Sequence, residues 1–131
     1  MFISATLQNE AHQLRSYVST GDVTRPVNLP AKDTGWGSAV NGAELLLLSL
    51  STCFCNDLLR EAARRSLAIR SVEVTVTATF AAEGEAGSDF RYRAHVDADA
   101  APGEIEALIR QTDAVAEIHN TLRKGVKIHI E

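Results

Sequence analysis

Between Ser71 and Phe80 the chain alternates strictly, with Val72, Val74, Val76, Ala78 and Phe80 on one face and Glu73, Thr75, Thr77 and Thr79 on the other. A period of two predicts a strand with one wet face. "AAEGEAGSD" then turns the chain, and Phe90, Tyr92, Ala94 and Val96 alternate with Arg91, Arg93, His95 and Asp97, which predicts a β-hairpin over residues 71–97. The period changes after Pro102. Ile105, Leu108, Ile109, Thr112, Val115, Ala116, His119 and Leu122 recur at spacings of three and four, the stripe of a helix over 102–123 that Pro102 opens and Gly125 ends. "VKIHIE" returns to alternation and predicts a closing strand over 126–130, with Val126, Ile128 and Ile130 facing inward.

The longest uninterrupted segment runs over 42–65. Asn41 or Gly42 is the N-cap region of a helix there. Its first half, Leu45 to Phe54, is apolar nearly all round, whereas "NDLLREAARRS" is amphipathic. One small sheet covers only one side of such a helix, so the apolar girth predicts an obligate homodimer that encloses two of them. Residues 1–41 mix the β-like runs "ISATLQ" and "HQLRSYVS" with a loop-rich "TGDVTRPVNLPAKDTGWGSAVNG", which reads as a β-rich wrapping segment. The whole, 1–131, is read as a single α+β domain.

Charge narrows the function. With a net charge of -4 and basic residues scattered among acids, the chain lacks the clustered Lys and Arg that track phosphates, which excludes nucleic acid as a partner. "MFISATLQNE" has neither the basic nor the apolar part of a secretory signal, and no apolar run approaches the roughly 18 residues that span a bilayer. The expectation is a cytoplasmic protein with no membrane partner, whose two cysteines are thiols and not a structural disulfide.

Both cysteines lie in "STCFCND" of the long helix. Residues two apart on a helix point about 200° apart, so Cys53 and Cys55 cannot close a disulfide without unwinding it. Nor do they form a metal half-site, because the thiolates face opposite sides and no tight His cluster completes a tetrahedron. No metal and no cofactor is expected. Cys53 shares its side with Leu46, Ser49, Leu50, Asn56, Asp57 and Arg60, and Cys55 with Leu48, Leu58, Leu59 and Ala62. Cys53 is therefore the candidate reactive thiol and Cys55 a core residue, although Cys53 also fits a small buried hydrophobe. His12, His95 and His129 fall on solvent faces of strands. Trp36, between glycines, either covers the mouth of a pocket or is buried in a dimer interface.

The segment "GSAVNGAELLLLSLSTCFCNDLLREAARR", followed by a strand pair, a helix and a last strand, resembles the OsmC/Ohr family of osmotically induced and organic-hydroperoxide-resistance proteins. The similarity runs from about His12 to Ile130 and is most specific over 41–65. It implies an intertwined homodimer in which long central helices are wrapped by antiparallel sheets, and it aligns the family's peroxide-attacking cysteine with Cys53. The family's resolving cysteine, in "VCPYS", aligns with Ala116 of "VAEIH". Its catalytic glutamate aligns with Ala43, leaving Glu44 as the neighbouring candidate, nine residues before Cys53 and on the far side of an ideal helix. Its loop arginine has Arg25, in "VTRPVN", as the counterpart. His119, three residues after Ala116, falls near where the family brings the second helix to the thiol. There it either lowers the thiol pKa, with Asn120 or a backbone group orienting the ring, or is a core histidine.

Three functions follow as expectations. The first is an OsmC-like stress-response protein, a thiol-dependent hydroperoxide reductase (peroxidase) that uses Cys53 and, lacking a resolving thiol, an external reductant. The second is a non-redox dimer that binds an apolar small molecule on the same fold. The third is Cys–His nucleophilic chemistry on an acyl or electrophilic substrate.

Overall fold

The computed structural model describes residues 1–11 and 13–131, so the reading of His12 lies outside the described residues. The chain divides into two compact units, Met1–Leu45 and Leu46–Glu131.

In the first unit, strands β1 (Ile3–Glu10), β2 (Gln13–Thr20) and β3 (Val23–Pro26) form an antiparallel sheet in that order. Val18 pairs with Arg25 and Tyr17 with Pro26. Here "VTRP" is a strand, where sequence composition pointed to loop. A proline is tolerated because β3 is an edge and Pro26 needs no partner for the N–H it lacks. Gly21, at φ 54, takes the left-handed position of the turn between β2 and β3. Among the described residues of this unit, none is buried.

Helix α1 (Gly42–Arg64) starts at the unit boundary. Asn41 is its N-cap: Asn41 Oδ1 accepts from the Glu44 N–H at 2.9 Å and Glu44 Oε2 accepts from the Asn41 N–H at 2.8 Å, a reciprocal capping box. Its inward stripe is Leu50, Phe54, Asp57, Leu58, Glu61 and Ala62. Two carboxylates on that stripe are tolerable because both are paired. Arg60 Nη1 reaches Asp57 Oδ1 at 2.7 Å, and Arg64 Nη1 reaches Glu61 Oε1 at 2.7 Å. By length and a mean hydropathy of 1.3, α1 is also long and apolar enough to cross a membrane, although it holds no unbroken apolar run of that length. Ser49, Ser51 and Thr52 interrupt the run, and their hydroxyls bond back to carbonyls three and four residues earlier.

Strands β4 (Ile69–Thr79) and β5 (Ser88–Ala98) form the hairpin, antiparallel, with Val72 opposite Val96, Val74 opposite Ala94 and Val76 opposite Tyr92. Helix α2 (Pro102–Val115) begins with Pro102 at its first position, and Glu104 Oε2 accepts from the Ala101 N–H at 3.0 Å. The core joins Phe54, Leu58 and Ala62 of α1 to Val96 and Ala98 of β5, Leu108 of α2, and Ala116.

Two expected elements differ. The single helix over 102–123 is two, because Ala116 is extended at φ -67 and ψ 103 and α3 (Glu117–Arg123) starts after it. Neither glycine nor proline marks this break; side chains further on complete it. Asn120 Nδ2 donates to the Ala114 carbonyl at 3.0 Å and Arg123 Nη1 to the Asp113 carbonyl at 3.3 Å, occupying carbonyls that the end of α2 leaves free. The closing strand over 126–130 is not formed among the described residues, and Ile128 stands 96% exposed. The alternation is present, but a strand also needs a partner to pair with, and among the described residues 126–130 pairs with none of the strands.

Candidate functional site

Phe54 occupies the middle of the inward stripe of α1, so Cys53 and Cys55 stand on its two flanks, each partly exposed and each a free thiol. Cys55 is not the core residue that its helical side suggested. It lines a shallow groove with Ser51, Thr52, Asn56 and Val74, and its neighbours Leu48 and Leu59 are 58% and 44% exposed. The buried stripe is rotated toward Leu50 and Asp57, that is, toward Cys53.

Cys53 Sγ donates to Asp57 Oδ2 at 3.5 Å. Burial raises the thiol pKa. The N–H of Ile118, at the start of α3, pulls it down, and the charge and hydrogen bond of Asp57 push it up again; the net direction is upward. Asp57, 7% exposed, is fixed at its other oxygen by Arg60.

Of the two roles open to His119, its surroundings match the core residue. Its ring is 6% exposed and packs on Tyr92, with centroids 4.7 Å apart, and on Phe54 at 5.7 Å. Neither ring nitrogen has a hydrogen-bond partner. Asn120 does not orient the ring, since its amide donates to Ala114. Burial lowers the imidazole pKa, and the Arg123 charge lowers it further, against Asp113 and Asp57, which raise it. The group is a neutral, buried imidazole.

Beside it lies a cavity of about 390 Å³, lined by Leu50, Val76, Phe90, Tyr92, His119 and Leu122, with Arg91 and Arg123. Its polar wall is one network. The Tyr92 hydroxyl donates to Asp113 Oδ1, and Arg123 Nη2 donates to the same oxygen at 2.6 Å. Burial and the Asp113 hydrogen bond push the Tyr92 pKa up to about 12, which keeps the phenol a donor at any ordinary pH. Alternation at 90 and 92 put Tyr92 on the inner face, but nothing local announced Asp113 as its partner. Nor could spacing have paired Asp113 with Arg123, which are ten residues apart and meet only because the helix breaks at Ala116.

Arg25 lies in β3, not in a loop, and is exposed. Glu44 is held in the α1 cap. Trp36 is 58% exposed. Among the described residues no group of three or more His, Cys, Asp or Glu side chains is arranged to hold a metal.

The family model described as OsmC-like protein matches residues 35–131. Solved structures share the fold over nearly the full length. An OsmC like protein from Mycoplasma pneumoniae aligns with a TM-score of 0.65 at 19% identity, covering 99% of this chain and 93% of that one. An organic hydroperoxide resistance protein OsmC from Legionella pneumophila aligns at 0.60 and 18%, covering 97% and 93%. The organic hydroperoxide resistance protein OhrB of Bacillus subtilis aligns at 0.57 and 15%, covering 100% and 97%. At these identities the likeness speaks for the fold, an α+β arrangement with antiparallel sheets. No curated protein matches the sequence.

Proposed function

The chain belongs to the OsmC-like protein family, and from that premise we propose that it is a stress-response protein that reduces hydroperoxides at Cys53, as a cytoplasmic homodimer with an external thiol as reductant. The observation that carries this reading is the setting of Cys53: a partly exposed thiol whose Sγ has a buried carboxylate for a partner, at the start of α3. Neighbours in the fold named organic hydroperoxide resistance proteins supply the substrate class. In the first half-reaction the sulfur takes the outer oxygen of ROOH, giving the sulfenic acid and ROH. The second needs two external thiols, which leave as a disulfide with water, because Ala116 has no sulfur and Cys55 faces the other flank of α1. Thiols that must cycle through the reduced form suit the cytoplasm.

The dimer rests on uncovered apolar surface. Leu48 and Leu59 of α1, the sheet of the first unit, and Val126, Ile128 and Ile130 are all exposed in one chain. A second copy is the occupant that the family resemblance implies.

The test is consumption of cumene hydroperoxide in excess dithiothreitol. Cys53→Ser should abolish it and Cys55→Ser should leave most of it. Equal losses in both variants would mean that the wrong flank of α1 has been assigned.

A second reading has its own support: the cavity beside His119 is apolar, of ligand size, and not lined by Cys53. A protein that only binds an apolar small molecule would show ligand-dependent thermal stabilisation that is unaffected by Cys53→Ser.

A further inference from the structure

Asp57 has two oxygens and two separate tasks. Oδ1 takes Arg60 Nη1 at 2.7 Å, which fixes the carboxylate, and Oδ2 faces Cys53 Sγ at 3.5 Å. One turn further along, Glu61 is equally buried, but it pairs with Arg60 and Arg64. Asp57 thus differs from Glu61 in having a thiol, and not only arginines, within reach of its carboxylate. A carboxylate neighbour is unfavourable to a resting thiolate, since the two would carry like charges across a hydrogen-bond distance. It is favourable to a thiol that must lose its proton during reaction.

We propose, resting on the hydroperoxide reading above, that Asp57 is a catalytic residue that accepts the Cys53 proton as the sulfur attacks and delivers it to the leaving oxygen. The Sγ–H proton moves to Asp57 Oδ2 as Sγ bonds to the outer oxygen of ROOH. The O–O bond breaks with its electron pair on RO. The alkoxide takes the proton back from Asp57, so that sulfenic acid and ROH are formed and the carboxylate is restored. The thiol thus rests protonated, in line with the upward direction of its pKa, and becomes a nucleophile only where a peroxide is present to receive the proton. The groups that bear on Asp57 are Cys53 and Arg60 from α1 and the neutral His119 from α3. Neither ring nitrogen of His119 hydrogen-bonds to the carboxylate, so the relay ends at Asp57.

The experiment separates Asp57 as an electrostatic neighbour from Asp57 as a proton carrier. In Asp57→Asn, removal of the negative charge should lower the Cys53 pKa and speed alkylation by iodoacetamide at pH 7 several-fold. Hydroperoxide turnover with dithiothreitol should nevertheless fall by at least about 100-fold, the low end for loss of a general base. Asp57→Glu should recover part of that turnover. Alkylation and turnover rising together in Asp57→Asn would overturn the proposal, because the carboxylate would then be only a brake on the thiol. Should Asp57→Asn fail to fold, Arg60→Gln alters the half-exposed partner instead. Alkylation should then slow, because the uncompensated carboxylate disfavours the thiolate further, while turnover should hold or rise, because the same carboxylate is a stronger base. Alkylation and turnover falling together would overturn the role. Wild-type turnover no greater than that of Cys53→Ser would sink the hydroperoxide reading itself. Turnover that depends on Cys53 yet survives Asp57→Asn would sink the role of Asp57 alone.

Discussion

In the second unit Phe54, Leu58, Leu108 and Ala116 close on one another with essentially no exposure, whereas in the first unit Phe2, Ile3, Leu7, Val18 and Val23 all stand in solvent. The difference lies in what each sheet is given to pack on. The β4–β5 hairpin has α1 and α2 across its inner face. The three strands β1–β3 have no helix of their own unit long enough to cover them, and a sheet with an apolar face is stable only when another layer covers it. The same contrast recurs around α1. The flank that carries Leu50 and Asp57 is buried, while the flank that carries Leu48, Cys55 and Leu59 is not.

The largest effect should come from the closed core. Phe54→Ala removes a fully buried ring that also contacts Tyr92 and His119, and it should cost about 3–5 kcal/mol in urea unfolding. Leu7→Ala, in the open sheet, should cost well under about 1 kcal/mol in an isolated chain. A larger loss at Leu7 that grows with protein concentration would show that a second copy covers the sheet.

Leu48→Glu combined with Leu59→Glu sharpens the contrast between the flanks of α1. If that flank is a dimer interface, the double variant should sediment as a monomer at concentrations where the wild type is a dimer, because two carboxylates would be buried unpaired. A wild-type protein that remains a stable, folded monomer on dilution would break the comparison at its root.

Ala116→Cys tests the other flank. Ala116 is fully buried and immediately precedes the residues whose amides act on Cys53 Sγ, so the new thiol should form a 53–116 disulfide on mild oxidation, with Cβ atoms about 4 Å apart. Hydroperoxide turnover with dithiol should then rise above wild type. The added sulfur should cost about 1–3 kcal/mol in the reduced protein. Mass spectrometry that finds no 53–116 linkage would separate the end of α2 from Cys53.

The smallest effect concerns His119. Its folded pKa lies below the ordinary 6.5 because of burial first and the Arg123 charge second. Above pH 6.5 the ring is neutral in both the folded and unfolded chain and stability is unaffected. As the pH falls below 6.5 the unfolded chain binds the proton first, so stability declines, and the decline levels off once the pH is below the folded value. His119→Leu should flatten that limb of the stability curve. An unchanged slope would assign it to other groups.

Much of this was legible along the chain. The hairpin announced itself by strict alternation, α1 by its length and by the N-cap region at Asn41, and the start of α2 by Pro102, because each signal is local and needs only its own backbone to be expressed. The likeness around "NGAELLLLSLSTC" pointed to the family that the comparisons then gave. Reading the wheel of α1 put Asp57 beside Cys53, since residues four apart meet on any helix.

Other features depended on contacts distant in sequence. A run of helix formers could not reveal the break at Ala116, because Asn120 and Arg123 complete it from the next helix. Periodicity put His119 on the inner stripe but could not say whether it met a thiol or two aromatic rings. The alternation of 126–130 marks a strand only where another strand pairs with it. Sequence periodicity determines which face of an element is apolar, through bond geometry that every residue shares. Which neighbour meets that face, and hence whether His119 meets a thiol or packs on Tyr92 and Phe54, is decided only when the elements pack, because burial and the fields of nearby charges depend on positions in space and not on spacing along the chain.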